Sequence, residues 1–154
     1  MRKGEDFHDG RPEREGEAMY RTIIVPIDLS QETKGRRILD LAIRLGDEGA
    51  RIILANVLEE LPGYVAIELP AGLMERSLQE AEDKLKAIAA DAGVNAEIKV
   101  RLGHPGNQIL ELAEETGADL IIVASHRPGL QDYFIGSTAG RVVRHANCSV
   151  LVTR

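Results

Sequence analysis

Near the C-terminal end of this chain a glycine followed by two hydroxyl residues, Gly136-Ser137-Thr138, opens an amphipathic stretch. The first N–H groups of a helix have no intrahelical partner and carry the positive end of its dipole, so a phosphate oxygen can accept from them. Gly136 would let an anion approach the backbone, and Ser137 and Thr138 would add hydroxyl donors. The same three residues also fit a bare helix cap, which is common. Asp28 stands just past the apolar run Thr22-Ile23-Ile24-Val25-Pro26-Ile27. Its carboxylate could accept hydrogen bonds from an amino group or a sugar hydroxyl, or it could fasten a turn. Arg127, in the segment leading to Gly136, offers a planar fork for a polyphosphate and reads equally as a solvated loop arginine. His104 and His126 lie in neighbouring turns without Ser/His/Asp or metal-ligand spacing, so solvated or capping roles are preferred for them.

The elements that must position these residues follow from hydrophobic period. Short aliphatic runs alternate with amphipathic helical stretches, the pattern of βα units and a doubly wound parallel sheet. After the strand ending at Asp28, Ser30 caps a helix carrying Ile38, Leu41, Ala42 and Leu45 on one face and stopping near Gly46 or Gly49. Arg51 to Leu58 is the second strand, ending in Asn56 and Val57. A stretch broken by Pro62, Gly63, Pro70 and Gly72 precedes a helix with Met74, Leu78, Ala81, Leu85, Ile88 and Ala92 on one face. Ala96 to Leu102 is the third strand, and Pro105 takes the first turn of a helix with Ile109, Leu112, Ala113 and Thr116 facing inward. Leu120-Ile121-Ile122-Val123-Ala124 is continuously apolar and is expected to be the most central strand, covered on both faces. A loop from Ser125 to Ile135 leads to the last helix, with Ala139, Val142, Val143 and Ala146 on one face, and to a final strand at Ser149 to Val152. In such sheets ligands bind beyond the carboxyl ends of the strands, where strand order reverses. Asp28, the Asn56-Val57 end of strand two and the Gly136-Ser137-Thr138 helix start all come to that edge.

Composition bounds the reading further. A chain of 154 residues with 44% hydrophobic and only 3% aromatic content can build one aliphatic core without a disulfide. The formal charge of -6 argues against a surface that neutralises nucleic acid and disfavours an anionic membrane. No apolar run approaches a membrane span or a signal peptide, and a cytoplasmic location is expected. The single cysteine, Cys148, excludes an intrachain disulfide and reads as a small core residue. Residues 1–18 are charged and glycine-rich with Phe7 as their one large apolar group, so a disordered tail is expected ahead of a domain spanning 19–154.

Taken together, Val25-Pro26-Ile27-Asp28, Gly103-His104-Pro105, Asp119-Leu120-Ile121-Ile122-Val123 and the run from Gly136 through Arg144-His145-Ala146-Asn147-Cys148 to Val152 resemble the universal stress protein family, from Met19 to Arg154. The segments Ser125-His126-Arg127-Pro128 and Tyr133-Phe134-Ile135-Gly136-Ser137 resemble a branch of small, single-domain bacterial members. The resemblance implies an open, Rossmann-like, five-stranded parallel sheet with helices on both faces, like that of the adenine nucleotide alpha hydrolases. It also implies ATP or AMP as ligand, Mg2+ accompanying the nucleotide, and a homodimer joined through the last strand, Val150-Leu151-Val152. By the same resemblance, base and ribose lie near Pro26, Asp28 and Val57, and phosphates near Arg127, Gly136, Ser137 and Thr138. ATP-binding members carry Gly-x-x-Gly, a spacer, then Gly-Ser or Gly-Thr. Here the first glycine position is Ala124, the second is Arg127 and the third is Gly136, and the spacer is one residue short. Gly129 could restore some of the flexibility lost at Arg127.

The function implied is a stress-response regulatory protein whose nucleotide orders the 125–135 loop and alters a surface read by an as yet unknown protein partner. No full Walker A run is present and no catalytic residue is assigned. Family behaviour extends at most to slow ATP hydrolysis or autophosphorylation, with Ser137 or Thr138 as acceptor. The alternative is a nucleotide-independent dimeric interaction module of the same fold. A receiver domain or an ATP pyrophosphatase fits poorly, because Asp28 is the lone acid directly after strand one and Asp28-Leu29-Ser30 replaces a Ser-Gly-Gly loop.

Overall fold

The computed structural model describes residues 19–60, 63, 70–125 and 135–154. The expected tail at 1–18 and Arg127, with most of its loop, lie outside the described residues. Among the described residues nine elements alternate: β1 (Tyr20–Pro26), α1 (Glu32–Leu45), β2 (Gly46–Leu58), α2 (Leu73–Asp91), β3 (Glu97–Leu102), α3 (Pro105–Thr116), β4 (Leu120–Ala124), α4 (Ser137–His145) and β5 (Ser149–Thr153). The five strands form one sheet in the order β3-β2-β1-β4-β5, and every neighbouring pair is parallel.

Alternation along the strands sorts the core into two layers. Ile23, Val25, Ile52, Leu54, Leu120 and Ile122 pack beneath α1 and α2, against Ile38, Leu39, Ala42, Leu85, Ile88 and Ala89. The intervening Ile24, Ile53, Ala55, Ile121 and Val123 pack beneath α3 and α4, against Ile109, Leu112, Ala113, Ala139 and Val142. The doubly wound architecture expected from the sequence is therefore present, with helices on both faces.

Four local readings need correction. The central strand is β1, with Ile23, Ile24 and Val25 fully buried, whereas β4 lies one place off centre. Continuous apolarity marks coverage on both faces, which β1 and β4 share, and does not rank the strands. β2 begins at Gly46 instead of Arg51, because Tyr20 pairs with Gly46 but Thr22 with Arg51, and the extra residues form an irregularity in which Gly49 adopts φ 81°. Those residues are polar and carry no strand period. Leu39 joins the α1 face as a fully buried side chain, while Val143 on α4 is 45% exposed. Thr116 returns its hydroxyl to the Leu112 carbonyl at 2.6 Å instead of filling the core.

Asp119 ties the start of β4 to the central strand. Its two carboxylate oxygens accept the N–H groups of Arg21 at 2.8 Å and Thr22 at 2.9 Å, and its own N–H donates to the Thr22 carbonyl at 3.0 Å. The Asp119 carbonyl in turn accepts from Ser149 N–H at 3.2 Å, so one residue sets the lower edge of β1, β4 and β5.

Removing that carboxylate strands two strand-end N–H groups, so Asp119→Ala should destabilise the fold by about 2 kcal/mol, read as a Tm several degrees lower. At the opposite edge of the sheet, hydrogen bonds from Lys99 and then Arg51 hold the Glu97 carboxyl below its usual 4.5. A depressed value means that this stabilisation is present above the unfolded value and lost as pH falls through the folded one. Glu97→Gln should flatten the pH dependence of Tm below about pH 4.5 by a small amount, because these charges are solvent-screened.

Candidate functional site

Because β1 and β4 are neighbours and are followed by helices on opposite faces of the sheet, a gap opens beyond their carboxyl ends. It is a cleft of about 690 Å³. Its walls include Pro26 and Asp28 after β1, Val57 at the end of β2, Ala124 at the end of β4, and Gly136, Ser137 and Thr138 at the start of α4. Seven of the eight residues singled out from sequence thus meet in one cavity, and Arg127 lies outside the described residues.

Each is placed by a local cause. Pro26 ends β1, where the Ile27 N–H still donates to the Ala55 carbonyl at 2.8 Å, so the chain remains in the sheet one residue further. Asp28 then builds a turn. Its Oδ1 accepts from the N–H of Ser30 at 2.9 Å and from Ser30 Oγ at 2.6 Å, and its Oδ2 accepts from Gln31 Nε2 at 3.2 Å. The turn role weighed from sequence is realised, and Ser30 serves that turn instead of capping α1, whose cap residue is Gln31. Of these three bonds the one from Gln31 is the longest.

Ala124 sits in extended strand, paired with Thr153, and the next N–H, that of Ser125, donates to the Thr153 carbonyl at 2.7 Å. No positive φ is demanded at Ala124, so alanine serves there as glycine would. Gly136 precedes α4 with φ -54°, ψ 158°, and no side chain caps the helix start. Its carbonyl accepts from Gly140 N–H at 2.8 Å. The opening N–H groups of α4 therefore sit beside the cleft with no capping side chain among the described residues.

Sequence reasoning passed over three features of the cleft. Lys34, half-buried on α1, brings a cation to the cavity, opposite in sign to Asp28 and Glu59. Gly35 lets α1 lie on the β1 end, since a Cβ there would stand 2.7 Å from Ile27 Cγ2. Asn56 was noted as a strand end and proves to be, among the described residues, the buried polar residue of the core, 9% exposed. Its Nδ2 donates to the Ile27 carbonyl at 2.8 Å, bracing the turn that carries Asp28, and its Oδ1 is buried without a partner among the described residues. A lone polar residue at the end of an apolar strand was the available signal. Among the described residues no three His, Cys, Asp or Glu side chains gather as a metal site.

An open parallel sheet, helices on both faces and a cleft at the strand-order reversal define a doubly wound α/β protein with its crevice in the usual ligand position. Residues 19–154 match the universal stress protein family, and the chain belongs to it. Universal stress protein G of Escherichia coli O157:H7 is 34% identical over 146 residues, spanning 88% of this chain and 100% of its own. Among solved structures, universal stress protein UspA from Lactobacillus plantarum superposes with TM-score 0.70 over 90% of this chain and 100% of its own, at 23% identity, a likeness of fold. A universal stress protein in complex with cAMP superposes with TM-score 0.56 over 88% of this chain and 98% of its own, at 26% identity.

The Asn56 brace is open to test. Asn56→Ala leaves the Ile27 carbonyl without its donor and should cost about 1–2 kcal/mol in denaturant unfolding, with faster amide exchange at Ser30 and Gln31 as the Asp28 turn loosens. Unchanged exchange there would show that the turn is held without Asn56.

Proposed function

We propose that this protein is an adenine-nucleotide-binding stress-response regulator, holding ATP or AMP in the cleft beyond β1, β2 and β4. The observation that carries the reading is the convergence of Asp28, Val57 and the uncapped Gly136-Ser137-Thr138 helix start on one cavity. A volume of about 690 Å³ suits a nucleotide-sized ligand. The groups present fit its parts: half-buried Pro26 and Val57 offer apolar surface to a base, and Asp28 offers acceptors to an amine or ribose hydroxyl. The α4 N–H groups with the Ser137 and Thr138 hydroxyls offer donors to phosphate. The related protein in complex with cAMP supports the same ligand class. Arg127 and Lys34 supply the cations that polyphosphate would favour. Mg2+ would arrive on the phosphate oxygens, as it commonly does where one or two carboxylates and substrate phosphates complete its shell.

In this reading the nucleotide acts by occupancy, ordering the 125–135 segment and changing a surface met by a partner protein in the cytoplasm. The active unit is a homodimer. The two edges of the sheet differ in a way that supports this. β3 presents Glu97, Lys99 and Arg101, with Glu97 ion-paired to both Lys99 and Arg51 and Arg101 ion-paired to Glu115. β5 presents Val150, Leu151 and Val152, half-buried, with its ladder satisfied by β4 alone. A charged edge discourages strand addition and an apolar edge invites it.

Calorimetric titration of nucleotide-stripped protein with Mg-ATP should give saturable binding in the micromolar range, about -8 kcal/mol. Gly136→Asp should weaken it by well over tenfold, since a carboxylate about 4 Å from a phosphate charge opposes it by up to roughly 4 kcal/mol at an effective dielectric of 20. The backbone at Gly136 suits any residue and aspartate is a good cap, so that variant should fold. Absence of binding to folded wild-type protein would overturn the nucleotide reading in favour of the nucleotide-independent dimeric module.

A further inference from the structure

Gly106, the second residue of α3, is buried against α4. A Cβ built there would stand 2.8 Å from Arg141 Cδ, 3.1 Å from its Cβ and 3.3 Å from its Cγ. The contact therefore runs along the whole stem of Arg141 down to the atom fixed to the α4 backbone, and only part of it could be relieved by swinging the side chain aside. Beyond the stem, Arg141 Nε donates to Asn107 Oδ1, on the residue following Gly106. Arg141 thus straps α4 to the first turn of α3, the stem lying on a bare backbone and the guanidinium pinned to the next side chain.

Both helix starts border the cleft: Pro105 from α3 and Gly136, Ser137 and Thr138 from α4. Inward, α4 is anchored by Ala139 and Val142 alone among its buried residues. A short helix held by so few core side chains needs a lateral stop to fix where its first N–H groups point. We propose that the Gly106–Arg141 contact is that stop, making Gly106 and Arg141 positioning residues for the anion-receiving end of the cleft. The inference rests on the nucleotide reading above. That the cavity takes a polar ligand has separate support in Asn56, a wall residue whose buried Oδ1 lacks a partner among the described residues.

The consequence is specific to phosphate. Hydrogen bonds from N–H groups to an anion weaken once donors move a few tenths of an ångström from their optimum. Gly106→Ala forces such a shift on α4, and it should leave the β1 and β2 side of the cleft, where base and ribose would lie, in place.

The test is calorimetric titration of nucleotide-stripped wild type, Gly106→Ala, Arg141→Ala and the double variant with Mg-ATP and with adenosine, each variant's Tm being recorded. Gly106→Ala should bind Mg-ATP about fivefold more weakly, the loss of part of one charge-assisted hydrogen bond, with adenosine affinity unchanged. Adding Arg141→Ala removes the atoms at 2.8 and 3.3 Å from the new methyl and should restore part of the Mg-ATP affinity. Relief of the clash could also restore stability, so the separation from general destabilisation rests on the unchanged adenosine affinity, read beside each variant's Tm. The inference is overturned if folded Gly106→Ala binds Mg-ATP as wild type does, if ATP and adenosine affinities fall in equal proportion, or if the double variant binds no better than the single one. Wild-type protein that binds neither ligand overturns the nucleotide reading itself, and this inference with it.

Discussion

The order of strands β3-β2-β1-β4-β5 is the constraint on which the rest of the molecule depends. Parallel strands need crossover connections, and these take one hand. Building outward from β1 through β2 and β3 puts α1 and α2 on one face, and building the other way through β4 and β5 puts α3 and α4 on the other. Where the direction changes, at β1 and β4, the helices that follow lie on opposite faces and, among the described residues, no helix closes the gap. The cleft is therefore a product of topology, and the side chains at its rim decide only what enters it.

This topology asks for tight coupling at the reversal, because β1 and β4 are consecutive in space and distant in sequence. Asp119 supplies it at the lower edge, where its carboxylate takes two N–H groups of β1 from a position at the head of β4. Asn56 supplies a counterpart at the upper edge by holding the Ile27 carbonyl from β2. The first clamp is polar, half-buried and complete. The second is buried and leaves one oxygen without a partner, a cost of about 1–3 kcal/mol that a fold tolerates where a ligand or water completes the network. The unsatisfied group lies at the edge where binding is proposed and not at the edge that is purely structural.

Much of this was legible in the residues. Strand and helix alternation, the Pro105 helix start and the meeting of Asp28, Val57 and Gly136 at one edge followed from apolar period and turn chemistry. What failed to show has a common cause. The rank of β1 over β4, the early start of β2 at Gly46 and the solvent side of Val143 depend on which neighbours lie alongside, and a local pattern records only that an element is covered. Lys34 was hidden because a charged residue early in an amphipathic helix usually means a solvated face. Gly106 was hidden because a glycine at φ values open to any residue carries no backbone signature, and its necessity appears only when Arg141 is seen lying on it.

That last point bears on the departures from the family's glycine pattern. At Ala124 the backbone is extended and paired with Thr153, so a methyl alters the wall of the cleft without altering the path of the chain. In the proposed nucleotide reading, close approach of an anion would then depend more heavily on Gly136 and on the direction of α4. The two glycines then divide one task. Gly136 leaves the mouth of the helix uncovered, and Gly106 lets the helix lie close enough to α3 for Arg141 to hold it there. In the proposed reading, Gly136 and Gly106 stand where helix placement, not loop mobility, would determine how phosphate is met.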